Sequence, residues 1–102
     1  MREPVNRARG EVLLDIGGAP RRLCVTLGAL AELEAAFDVN SIVELGERLA
    51  RLSANELITV IAALVSGGGE AMSAAAIAQA RVDPKAAVAA VAEAFRLAFD
   101  EI

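Results

Sequence analysis

Histidine, tyrosine and tryptophan are missing from this 102-residue chain, which carries a single cysteine and a single lysine. Those absences remove most of the usual general bases, nucleophiles and metal ligands. Carboxylates remain, but Glu32 with Glu34 and Glu44 with Glu47 come without a cation-binding loop or a second cluster, and they read as solvated helix faces. Cys24 has no histidine to activate it and reads as a packed thiol; one cysteine forms no internal disulfide, which fits a reducing compartment. No cofactor, metal or catalytic residue is implied, and an enzyme is the last reading to adopt. No apolar run approaches the roughly 20 residues that cross a bilayer. Residues 1–9 lack the apolar centre of a secretory signal, so export by that route is not expected and the expected location is the cytoplasm.

What is present is an apolar fraction of 56% with only three phenylalanines as aromatics, so the core must be built from Leu, Ile, Val and close-packed Ala. Net charge is −4. Arginines gather near the N-terminus and the rest is acidic, a poor surface for phosphate backbones, so nucleic-acid binding is disfavoured.

From Gly10 to Phe37 a two-residue rhythm hands over to a helical one. Val12, Leu14 and Ile16 alternate with wetter positions, as do Leu23 and Val25. Gly17-Gly18-Ala19-Pro20 between them reads as a hairpin loop, with strands at about 11–16 and 21–26. A two-stranded hairpin is marginal alone in water, so helices must cover its apolar face.

Thr26 is the expected cap of a helix with Leu30, Leu33 and Phe37 on its apolar stripe. Asp38-Val39-Asn40 breaks that helix. Ser41 with Glu44, and Ser53 with Glu56, have capping-box spacing, which places a tight corner near Leu52 between two further helices. The helix after Ser53 is apolar over more than half its circumference and should be the most buried. Gly67-Gly68-Gly69 ends it and reads as a flexible connector, since a phosphate loop would follow a strand and end in Gly-Lys-Ser/Thr. Ser73 caps a short helix around Ala74 to Ala80, and Asp83-Pro84 starts the last one. There, Val88, Val91, Phe95, Ala98 and Ile102 form a stripe expected to close the core or, where left uncovered, to receive another helix. The predicted class is α+β, mostly helical: a flexible arm at 1–9, then one domain at 10–102 in which an N-terminal β-hairpin packs on four to five short helices.

The succession Gly10-Glu11-Val12, Gly17-Gly18, Arg22-Leu23, Thr26-Leu27-Gly28-Ala29-Leu30-Ala31-Glu32-Leu33-Glu34, Ser41-Ile42 and Glu44-Leu45, with the later glycine-and-acid loop, resembles a known family. It is similar to the small tail proteins of alphaproteobacterial gene transfer agents and related tailed phages, variously labelled tail tube protein or tail assembly chaperone, over about residues 10 to 100. The resemblance implies a non-enzymatic tail assembly chaperone that binds the tape measure protein while tail tube subunits polymerise around it. A structural tail tube subunit, stacked in rings, is the first alternative, and a small acidic regulatory or protein-interaction module the second. Homo-oligomerisation stays open. The family carries no catalytic residues to transfer. From pattern alone, partner contact falls to exposed members of Val88, Val91, Phe95 and Phe99 and to the hairpin edge at Arg21 and Arg22; the competing reading places the same side chains in the monomer core.

Overall fold

A computed structural model describes residues 10–99. The expected arm at 1–9, and Ile102 at the end of the expected stripe, lie outside the described residues. The order is β1 (Val12–Ile16), β2 (Ala19–Leu23), α1 (Leu27–Phe37), α2 (Ile42–Leu49), α3 (Ala54–Gly67), α4 (Ala74–Gln79) and α5 (Pro84–Phe99), an α+β fold that is mostly helical.

The hairpin is tighter than its sequence suggests. Gly17 and Gly18 alone make the turn, at φ 66° and 88°, the two positive values a two-residue primed turn demands. Ala19 and Pro20, expected in the loop, therefore already pair with Ile16 and Asp15. Alternation along an antiparallel ladder puts Pro20 in a pair without mutual amide bonds, so its missing N–H costs nothing there. The second strand also stops earlier than expected, at Leu23, because the Cys24 amide leaves the ladder and donates to the Leu64 carbonyl of α3 at 3.0 Å.

Val12, Leu14, Ile16 and Leu23 point into a core completed by Leu30 and Leu33 of α1 and by Val60, Ile61, Leu64 and Val65 of α3. α3 carries the most buried side chains of any helix, since its sequence is apolar nearly all round. Each helix start is chemically marked. Thr26 Oγ1 accepts the Ala29 amide at 3.0 Å, Ser73 Oγ accepts the Ala76 amide at 3.0 Å, and Asp83 Oδ1 accepts the Lys85 amide at 3.3 Å. Ser53 and Glu56 form the full reciprocal box. At α2 the reach-back falls one residue early, with Glu44 Oε1 accepting from Asn40 N–H at 2.8 Å.

Two expectations fail on packing grounds. The glycine triplet is not a loose connector: a Cβ on Gly67 would lie 2.1 Å from the Cys24 carbonyl oxygen, and one on Gly68 would lie 2.1 Å from that of Arg22. Only a helix end without side chains can press this closely on the chain leaving β2. Left-handed backbone is reached one residue later, at Gly69 (φ 100°). On α5 the core-facing residues are Ala87, Ala90, Val91 and Ala94, whereas Val88 and Ala98 of the expected stripe are exposed and Phe95 is half-buried. α5 rests chiefly on β1, and small alanines allow that close seat; the bulkier side chains turn sideways toward α2.

Candidate docking groove

α2 packs chiefly on α1 and α5 chiefly on β1, so the two helices leave a trough between them. It has a volume of about 680 Å³ and opens to solvent. Ile42, Leu45 and Leu49 form one wall and Val88, Phe95 and Phe99 the other, while Leu30, Leu57 and Val91 lie deeper. Leu45 and Val91 are buried, whereas Ile42, Val88 and Phe99 at the lips are 49%, 57% and 44% exposed. Half-exposed large apolar side chains on both sides of one depression distinguish it from ordinary surface scatter.

Side-chain contacts brace both walls. The Phe95 and Phe99 rings, one helical turn apart, stack nearly parallel with centroids 6.2 Å apart. On α2, the Arg48 guanidinium lies 5.2 Å over the centre of the Phe37 ring of α1 and pairs with the Glu56 carboxylate at the start of α3. The Ser53 backbone N–H, donating to Glu56, holds that carboxyl below its ordinary value of 4.5, with Arg48 adding attraction against some desolvation. These contacts clip α2 to its neighbours on the side away from the trough.

The structure brings Val88, Val91, Phe95 and Phe99 together in this groove. It places Arg21 and Arg22 elsewhere. Arg21 stands opposite Leu14 in the register, and its Nη1 donates to Glu70 Oε2 at 3.0 Å. Arg22, opposite Leu13, has its Nε 3.7 Å from Glu11 Oε1. Both arginines are half-buried in contacts within the chain, and Cys24 beside them is buried. The α2 wall was missed by sequence reasoning, which places a helix after Ser41 and names no partner-facing residues on it. Two signals for it were present: adjacent apolar residues at Ile42-Val43, more than one core-facing stripe uses, and a glycine at position 46 inside a helix.

Chemically the groove can bury apolar surface, with a gain of about 1.5–3 kcal/mol for each large side chain fully covered. Among the described residues there is no group of three or more His, Cys, Asp or Glu side chains placed to hold a metal ion. No helix among them is long and apolar enough to cross a membrane. In comparison with known proteins, residues 9–101 match the model of a family described as phage tail tube protein, GTA-gp10. Neither the curated proteins nor the solved structures contain a match.

Proposed function

We propose, for a chain that belongs to the phage tail tube protein family GTA-gp10, that it is a non-catalytic subunit of a phage-like tail that works by docking, with another tail polypeptide seated between α2 and α5. The observation that carries this reading is the solvent-open apolar trough, with Ile42, Val88 and Phe99 half exposed at its lips. Covering those side chains is favourable, and a tail is built by contacts of this kind between proteins. The family description supports a subunit of the tail itself ahead of an assembly chaperone.

The chaperone reading, in which the chain holds the tape measure protein soluble during assembly, keeps one specific support. The described residues contain a single two-stranded sheet with five residues in each strand, which is little from which to build a tube wall. One experiment separates the two. The full chain is co-expressed with tail tube and tape measure proteins of a phage-like particle from the same source, and finished particles are analysed by mass spectrometry. Co-purification that Val88→Glu abolishes, with the chain retained in particles, is the expected result. The same co-purification with the chain absent from particles transfers the assignment to the chaperone. Failure to co-purify with any tail polypeptide refutes docking.

A further inference from the structure

Independently of the trough, we infer that the outer edge of β1 takes up an extended segment of another polypeptide as a third strand, and that this segment carries an apolar residue opposite Leu13 and a lysine or arginine opposite Asp15. The hairpin has two edges, and they differ.

The edge of β2 is closed. Pro20 has no amide to offer, and the Cys24 amide is spent on Leu64 of α3. Between them Gly68 presses on the Arg22 carbonyl so closely that a Cβ there would lie 2.1 Å from the oxygen. At the turn, the Gly17 amide donates to the Arg81 carbonyl at 2.9 Å. β1 lacks such cover along its middle. Ile16 pairs with Ala19 across the two-residue turn, so Ile16, Leu14 and Val12 exchange amide bonds with β2. The Leu13 and Asp15 N–H and C=O groups therefore point outward, and no described residue bonds to them. Leu13 is 42% exposed, and Asp15 beside it on the outer face is exposed too. Sheets shield their edges, and here the shielding stops at these two residues.

The same two residues give the chemistry of the occupant. A row of alternating outward amides and carbonyls is satisfied by another extended backbone. Asp15 stands opposite Pro20, so β2 gives its carboxylate no cation, and it belongs to no ion pair among the described residues. An incoming base opposite it supplies one, and an apolar side chain opposite Leu13 covers exposed leucine. A second copy of this chain matches poorly. Its β2 edge is closed, and antiparallel pairing of β1 with β1 sets Asp15 opposite Glu11, Leu13 or Asp15 of the second copy, according to register, and never opposite a base.

The test titrates a valine- and threonine-rich peptide of about eight residues, with one lysine two positions before a valine, to millimolar concentration into the nitrogen-15-labelled full chain, following amide signals and their hydrogen exchange. Saturable binding that slows exchange at Leu13 and Asp15 is expected. Leu13→Pro removes an outward amide and no bond of the hairpin itself, so it should keep the parent's circular dichroism and weaken binding about tenfold or more. Asp15→Lys should weaken binding about two- to tenfold, and a peptide with glutamate in place of lysine should recover it. Val88→Glu, in the trough, should change nothing. Absence of saturable binding, protection that omits Leu13 and Asp15, indifference to Leu13→Pro, or no recovery with the glutamate peptide overturns the inference. Should Leu13→Pro fail to fold, the exchange of charges at Asp15 decides alone. A dimer in sedimentation velocity that Leu13→Pro abolishes gives the edge to a second copy and overturns the inference; so does peptide binding that Val88→Glu weakens, which places the peptide in the trough.

Discussion

Replacing Gly67 with alanine separates two readings of the glycine triplet by the sign of its effect. If the segment were a loose end of α3, the added methyl would raise helix propensity and stabilise the protein by up to about 1 kcal/mol. In the structure that methyl lies 2.1 Å from the Cys24 carbonyl oxygen, a main-chain atom that cannot swing aside. Cys24 is also tied to α3 through its amide bond to Leu64, so relieving the clash means parting the helix end from the hairpin. Overpacking costs about 1–3 kcal/mol, and a clash with backbone belongs at the upper end. After subtracting the helix gain, the net loss is about 2 kcal/mol. For a domain of this size that lowers Tm by about 8–16 °C. Urea unfolding followed by far-ultraviolet circular dichroism, with unchanged m, gives the free energy directly. Gly46→Ala is the internal control, since its methyl meets open space and should stabilise by about 0.5–1 kcal/mol. A Gly67→Ala protein as stable as the parent, or more so, would refute the close-packing argument.

Ser53→Ala removes one half of the capping box at the start of α3 and should cost about 1 kcal/mol, read as a Tm lower by about 4–8 °C; no change would mean that the cap contributes nothing net. Because the Glu56 carboxyl is held below its ordinary value of 4.5, its stabilising contribution is complete above pH 4.5 and disappears as pH falls through the lower folded value. Glu56→Gln should therefore be less stable at neutral pH and show a shallower decline of Tm below pH 4.5, and parallel acid limbs for variant and parent would count against the assignment.

Much of the fold could be read from local chemistry. Thr26, Ser41, Ser53, Ser73 and Asp83 each mark a helix start through a side chain and an amide only a few residues away. Val12, Leu14 and Ile16 announce the buried face of β1 because strand alternation is a local property. The errors fall where a distant segment decides. β2 ends at Leu23 because Cys24 meets Leu64, and the glycine triplet is a packing surface because Cys24 and Arg22 lie against it. Neither partner is near in sequence. The groove was half legible for the same reason: Val88, Phe95 and Phe99 could be named from α5, but the opposing Ile42, Leu45 and Leu49 could not be assigned to it.

The sequence by itself determined the shortage of catalytic side chains, the α+β class, the positions of the turns and caps, and the likeness to a phage tail family. Each of those depends on residue type and short-range spacing. The tertiary structure alone decided which face of α5 is spent on the core. An alanine edge and a bulkier edge run along the same helix, and periodicity cannot say which one the hairpin will accept. The hairpin accepts the alanines because they permit close approach, and the valine and phenylalanines are left facing α2 across an open trough.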